Sequence, residues 1–325
     1  MSIGIKSQLD DNGYYFMMLA MTISPRLTRI EKVLDYIHEH LDEPIHVTNL
    51  AEKSCWSRWQ FQRVFGQATG LTVAQYVREL RLSKAAELLL SSKNKHVDIA
   101  IECGFDSEIS FSRAFKHMFN CTPRYYRQQG KRHGLRTPLQ YRRPDNTQTD
   151  TPKAFTQIRV ESHERFQIQG KCDWIRGLLS ASPDFSERVP RLWSQVILEV
   201  KTVKKGTRPI GIIDTQDHAD HPDQMLYWAG YLEPIDVLLP LFSGANLFGN
   251  APLDTVIVPP QEYAVIPVHG DASAVKKALE WFIFQWLPES NYYGVQGYEL
   301  EIYDPDYNPH SQQSYMEYWL PIKPR

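Results

Sequence analysis

The chain has 325 residues, a formal net charge of -2, 42% hydrophobic and 23% charged residues, a globular composition of about two domains. The apolar run near Tyr14–Ile23 is too short to span a bilayer, and Asp10 and Asp11 stand where a secretion signal needs basic residues, so neither export nor a membrane span is expected. Cys55, Cys103, Cys121 and Cys172 are scattered without a Cys-x-x-Cys pair, which disfavours a zinc cluster or disulfide framework and favours the cytoplasm.

The charge is unevenly spread. Residues 1–150 hold 21 Lys and Arg against 16 Asp and Glu, a balance of +5, while residues 151–325 hold 15 against 22, a balance of -7. The first half suits a polyanion and the second does not. Residues 1–25 fit no element, and Met17, Met18 and Met21 place a start downstream of Met1 among the expectations.

An internal repeat follows. Asn49–Gly70 and Asp98–Asn120 align at an offset of 49 and then 50 residues. Leu50 matches Ile99, Ala51 matches Ala100, Trp56 matches Phe105, Phe61 matches Phe111, Arg63 matches Arg113 and Phe65 matches Phe115. One supersecondary unit is therefore used twice. Each copy reads as helix, tight turn, helix, with a small alanine at the crossing, Gly104 or Cys55 in the turn, and Ser107 or Ser57 as cap of the second helix. Glycine suits such a turn better than Cys55 does. The pattern is helix-turn-helix, whose second helix enters the major groove of DNA. Between the copies, Thr72–Leu90 reads as a 19-residue helix that spans about 28 Å. A rod of that length could set two reading helices into successive major grooves, about 34 Å apart.

Helical spacing turns Phe111, Phe115, Met118 and Phe119 inward, and leaves Ile109, Arg113, Lys116 and His117 outward. In the first copy Trp59, Gln62 and Arg63 take the outward positions, so an apolar group stands beside an arginine in both. Base reading asks for such a pair, the apolar group on a thymine methyl or the backbone and the arginine on guanine O6 and N7. The competing role, covering a neighbouring helix, is weakened by the coincidence of Trp59 with Ile109. The segment from Leu82 to Arg127, with its closing Phe119, Thr122, Pro123, Tyr126 and Arg127, resembles the AraC/XylS class of bacterial transcription regulators over about 100 residues, Ile30 to Arg127. The reading domain stands first in the chain, not last as in AraC itself. The resemblance implies DNA contacts from Trp59, Gln62 and Arg63 in the first reader and from Ile109, Ser110 and Arg113 in the second. Glu108 stands where part of the family has glutamine, and a carboxylate there could accept from cytosine N4.

Arg127–Lys153 is polar, with three prolines and seven Lys and Arg. It reads either as a flexible basic linker that also touches phosphate or as a merely solvated one. Beyond it lie two similar halves. The first has a strand at 165–174, a helix near Phe185–Val203 and strands at 208–214 and 224–232. The second has a strand at 262–270, a helix near Ser273–Trp286 and strands at 298–304 and 315–322. This order, and the stretches 263–270, 281–290 and 298–306, resemble the GyrI-like effector-binding domain. The resemblance implies two halves about a pseudo-twofold axis with a small molecule in the groove between them. It also puts Glu301 on the family's pocket glutamate. By strand parity Glu299 and Tyr303 share its face, so the choice of Glu301 over Glu299 rests on the resemblance. A carboxylate among aromatic rings receives an organic cation. The candidate rings are Trp174, Tyr231, Tyr263, Trp281, Tyr303 and Trp319, against the role of ordinary core. Asp214, Asp217, His218, Asp220, His221 and Asp223 crowd ten residues, but their place between two strands favours a solvated loop over a metal site.

The expected fold class is multidomain, an all-α tandem helix-turn-helix domain followed by an α+β GyrI-like domain of two strand-helix-strand-strand halves. The expected boundaries are 1–25 disordered or a mis-assigned start, 26–130 DNA-binding, 131–153 linker and 154–325 effector-binding. The expected function is sequence-specific transcription regulation under a small organic effector, cationic or amphipathic. Expected partners are double-stranded DNA, the effector and RNA polymerase, with no cofactor, catalytic residue or metal. Two readings compete. Some GyrI-like domains resemble hydrolases that use a pocket Glu and Tyr, so a hydrolase fused to a DNA-binding domain is one. Constitutive DNA binding with a protein-interaction module is the other.

Overall fold

The computed structural model describes residues 25–142, 155–202, 208–216, 218–221, 223–232, 236–237 and 253–325. The expectations for residues 1–24, for 143–153 and for Asp217 lie outside the described residues.

The helical half begins with α1 (Pro25–Glu39) and then repeats one unit. The first copy is α2 (Val47–Lys53) and α3 (Arg58–Thr69), and the second is α5 (His96–Glu102) and α6 (Glu108–Phe119), joined by α4 (Val73–Ser91) and closed by α7 (Pro123–Gln129). Matched local devices make the repeat. Ser57 accepts from the Gln60 amide in a full capping box, and Ser107 accepts from the Ser110 amide. Thr72 and Thr122 cap the next helices by accepting from Gln75 and Tyr125. The turns carry left-handed residues, Cys55 at φ 56° and Gly104 at φ 73°, so the weaker turn residue noted at Cys55 is present as a real conformational cost. Two cores form along α4. Tyr76, Val77 and Leu80 join Ile30, Ile37, Phe61 and Phe65. Leu82, Ala85, Ala86 and Leu89 join Ile99, Phe111, Phe115 and Phe119.

Residues 131–142 do not behave as a free linker. Leu135 and Leu139 are buried. β1 (Leu135–Arg136) pairs with β4 (Arg159–His163), and β2 (Gln140–Tyr141) pairs with β3 (Phe155–Thr156). The Arg136 amide donates to Ser83 Oγ at 2.8 Å and the Leu139 amide to Tyr76 Oη at 2.9 Å. Three of the basic residues have partners within the protein. Arg127 donates to the carbonyls of Leu89 and Asn94, Arg132 bridges Glu87 and Glu262, and Arg142 stands over the Trp281 ring. Composition reads this stretch as solvated, yet two leucines at the right spacing outweigh it once two surfaces are near.

The rest is one antiparallel sheet of the order β1-β4-β11-β14-β13-β7-β8-β5-β10, with β12 against the end of β14. The strands are β5 (Phe166–Ile175), β7 (Pro209–Asp214), β8 (Met225–Tyr231), β10 (Asp254–Val258), β11 (Gln261–His269), β12 (Tyr292–Gly294), β13 (Tyr298–Tyr303) and β14 (Tyr315–Pro324), with β6 (Val200–Thr202) and β9 (Asp236–Val237) forming a separate pair. The two strand-helix-strand-strand halves are β5-α8-β7-β8 and β11-α9-β13-β14, with α8 at Phe185–Glu199 and α9 at Ala272–Trp281. They meet where β7 pairs with β13. Sequence reading does not separate β4 and β10 from their surroundings. Each precedes one half and pairs with the edge of the other, β4 on β11 and β10 on β5, an exchange that sequence periodicity cannot show. The second helix also ends early as an α-helix, since Phe282–Trp286 forms a π turn. Among the described residues no helix is long and apolar enough to cross a membrane.

Candidate functional site

The outward faces of α3 and α6 present the expected readers. Trp59 is 66% and Ile109 74% exposed, a large apolar area left open to solvent by two residues. Gln62, Arg63, Glu108, Ser110 and Arg113 are exposed as well. The Arg63 guanidinium lies 5.3 Å from the centre of the Trp59 ring, so the two form one outward unit. Two members also have local duties. Ser110 donates to the Ser107 carbonyl, and Glu108 stands in the first turn of α6, where a carboxylate suits the helix dipole.

The second site lies on the face of the sheet that α8 and α9 cover. Alternation along β13 directs Glu299, Glu301 and Tyr303 to that face and Leu300 to the other, where it joins Ile168, Ile212 and Val258. Glu301 is 1% exposed. Its carboxylate accepts from the Tyr227 hydroxyl at 2.8 Å and from Tyr303, and Tyr227 in turn accepts from the Trp193 indole at 3.1 Å. Burial pushes the Glu301 carboxyl up to about 7, against the two tyrosine hydroxyls and helped by the neighbouring Glu299. Across β7 the opposing residue is Gly211, and a Cβ there would overlap the Tyr227 hydroxyl and lie 2.8 Å from Glu301 Oε2. That glycine leaves room for the buried carboxylate.

Glu299 differs in its surroundings. It has one donor, Tyr318 Oη at 2.5 Å, and burial raises it to about 7. It keeps accessible surface, and that surface opens on a cavity of 540 Å³ between the start of α8 and the end of α9. The walls are Ile175, Phe185, Met225, Leu279, Ile283 and Leu320, with Glu299 and Tyr318 in the floor. A mostly apolar, partly closed space of this size, with Glu299 in its floor and Asp223 also in its lining, has the character of a small-molecule pocket.

The residues expected around the ligand divide. Glu301, Tyr303 and Tyr231 come together about Trp193, whose ring lies 5.7 Å from Tyr303 and 6.2 Å from Tyr231. Trp174 stacks at 3.9 Å on His221, which stands at the cavity rim. Tyr263 and Trp319 lie on the opposite face of the sheet, 5.5 Å apart, where Trp319 donates to Glu317. Trp281 donates to the Tyr141 carbonyl, away from the cavity. These three are not brought together with Glu301: Tyr263 and Trp319 lie one pleat away on the other face of the sheet, and Trp281 turns to Tyr141. Tyr227 and Tyr318 hold the two carboxylates, and the sequence offers them only as two rings among many. Trp193 and Ile283 carry no such signal at all. In the acidic His-containing loop, His218 Nε2 lies 3.5 Å from Asp214 Oδ2, and no three His, Cys, Asp or Glu among the described residues are placed to hold a metal.

Residues 50–129 match a helix-turn-helix domain family, and residues 178–323 match the GyrI-like small molecule binding domain. The TetD protein of transposon Tn10 from Escherichia coli is 43% identical over 31% of this chain and 72% of its own length. The chain belongs to the AraC family of transcription regulators. The transcriptional regulator Rob of Salmonella typhimurium is 39% identical over 34% of this chain, and the match spans 39% of Rob. A solved AraC-type DNA-binding regulator from Chromobacterium violaceum is 34% identical, covers 33% of this chain and 92% of that one, and has a TM-score of 0.30. As an AraC-family regulator the chain carries an AraC-type DNA-binding domain, with a GyrI-like small molecule binding domain after it.

Proposed function

We propose that this AraC-family chain is a one-component regulator, reading two half-sites through α3 and α6 and answering to an organic cation in the cavity floored by Glu299. The observation that carries the ligand class is a carboxylate with a single hydroxyl donor facing an apolar cavity. Uncompensated burial of a charge is costly, and a cation would supply the missing partner. Glu301 lies behind it, sealed by Tyr227 and Tyr303, so its role is to tune Glu299 rather than to touch the ligand. Trp59, Gln62, Arg63, Glu108, Ile109, Ser110 and Arg113 form the base-reading set, RNA polymerase is the partner the regulator acts on, and the cytoplasm is its compartment.

A route for the response runs from cavity to reader. Ile283 of the cavity wall belongs to the π turn that carries Phe282 and Trp286, and their rings stack at 4.9 Å. Trp286 stacks near Tyr292 at 6.2 Å, and Tyr292 donates to Glu87 on α4. Glu87 is held again by Arg132, which also pairs with Glu262 of β11. A ligand that shifts the π turn thus bears on the rod between the two readers.

Calorimetric titration of full-length protein with an aromatic quaternary ammonium and with its neutral carbon isostere tests this reading. The cation should bind more tightly than the isostere, and equal affinity rules out the charge pairing. The second reading, a hydrolase built on Glu301 with Tyr227 and Tyr303, is favoured by the grouping of a buried carboxyl with two phenols alone. It predicts turnover of ester or amide ligands at a rate lost in Glu301→Gln.

A further inference from the structure

The two cores of the helical half divide within α4. Leu80 is the last residue of α4 in the first core, and Leu82 is the first in the second. Arg81 stands between them. Its guanidinium donates from Nε to the Leu41 carbonyl at 2.7 Å and from Nη2 to the Glu43 carbonyl at 2.6 Å. Both carbonyls lie in the loop that leads from α1 into the first reader. The third donor, Nη1, reaches the carbonyl of Gly104 at 2.9 Å, and Gly104 is the turn of the second reader. One planar side chain therefore spans the joint between the two reading units.

Gly104 is shaped for this contact. A Cβ there would lie 2.8 Å from Arg81 Cζ, 2.9 Å from Nη2 and 3.0 Å from Nε, so the guanidinium lies against bare backbone. The glycine meets two demands at once, a left-handed φ of 73° and the close approach of the arginine. The first reader lacks the second demand. Its equivalent residue, Cys55, takes φ 56° with an exposed side chain. This explains why the turn residue differs between two copies that otherwise match. Lysine could not replace Arg81, because an ammonium is a point donor while three carbonyls in different directions need a rigid fork.

We propose that Arg81 is a positioning residue which fixes the separation and angle of α3 relative to α6, so that the protein accepts its two half-sites at one spacing. The proposal rests on the reading that both helices contact DNA. The strap at 135–139 touches α4 on both sides of Arg81, through Ser83 and Tyr76, contacts that do not depend on the arginine.

The test is selection of a randomised duplex library by the full chain, wild type against Arg81→Lys and Arg81→Met. Wild type should enrich two half-motifs at one separation. The variants should enrich the same two half-motifs over separations spread by one or two base pairs, with affinity for the wild-type spacing lowered about tenfold, or about 1.4 kcal/mol. Duplexes holding a single half-motif should bind wild type and variants alike, a result that a purely structural loss would not give. Variants that keep the single spacing at full affinity overturn the proposal. So do variants that lose one half-motif altogether, since that outcome marks Arg81 as needed for the fold of one reader. Enrichment of a single motif by wild type refutes the two-reader arrangement itself, a failure distinct from that of Arg81.

Discussion

Glu299 and Glu301 sit two residues apart on the same face of β13, and the side chains they meet give them different work. Glu301 has two phenol donors and no open surface, whereas Glu299 has one donor and a cavity. Glu299→Gln should therefore weaken binding of an aromatic quaternary ammonium by at least about 1.5 kcal/mol, the scale of a hydrogen bond to a charged group, and leave its neutral isostere unchanged. Glu301→Gln should have the smaller effect. Titration of both variants with both ligands checks the order, and a larger loss in Glu301→Gln reverses the assignment. The choice was not legible in the sequence, because parity puts both carboxylates on one face, and although the register sets Tyr318 opposite Glu301, its hydroxyl reaches diagonally to Glu299.

Protonation adds a second test at this scale. Burial pushes both carboxyls up to about 7 in the folded protein, above their unfolded value of about 4.3. A raised carboxyl binds more protons in the folded state, so its contribution to stability is present below the unfolded value and is lost as pH rises through about 7. A bound cation favours the ionised form and offsets that loss. The thermal shift produced by the quaternary ammonium should thus be larger at pH 8 than at pH 6, with the difference reduced in Glu299→Gln. A shift independent of pH contradicts a cation at this carboxylate.

At the scale of elements, α3 and α6 were readable because helical periodicity, caps and turn all repeat. The same inward aromatic positions, Phe61 and Phe65 or Phe111 and Phe115, are fully buried in each copy. Outward Arg63 and Arg113 should then act on separate bases. Arg63→Ala and Arg113→Ala should each cost about 1–3 kcal/mol in specific DNA binding and relax preference at one position, the two positions about one helical turn apart. Relaxation of the same base pair by both would refute placement in successive grooves. The sheet was less readable. Six of its strands are marked out in the sequence, but β4 and β10 pair across halves, and β1 hides in a stretch rich in Arg, Gly and Pro. Their positions are set by partners far along the chain, as in Leu135 against Val160 and Arg136 against Arg159, and local pattern carries no record of that. The central pair β7–β13 offers a packing test. Gly211→Ala places a methyl into the space of Tyr227 and Glu301 and should destabilise the protein by about 1–3 kcal/mol, read as a lowered midpoint in urea at constant slope.

At the scale of the whole molecule, the GyrI-like domain is joined to the second helix-turn-helix unit by a shared core and by a charged seam. The core that holds Phe111 and Phe115 continues through Leu135 and Val160 to Tyr318 and Trp286. At the seam Glu87 receives Tyr292 and Arg132 together. This union was illegible in the sequence because the chain between the halves has the composition of a linker. Allosteric coupling of this kind is usually worth 1–3 kcal/mol and is reciprocal. Tyr292→Phe should cut the coupling while leaving ligand and DNA affinity, each measured alone, nearly unchanged. The central claim is that cavity and readers belong to one switch. It is tested most directly by fluorescence anisotropy of a selected duplex titrated with full-length protein, with and without saturating quaternary ammonium. DNA affinity should change about fivefold or more, with the same factor seen in ligand affinity when DNA is saturating. Identical DNA affinity in the two titrations, with the cation shown to be bound, contradicts it.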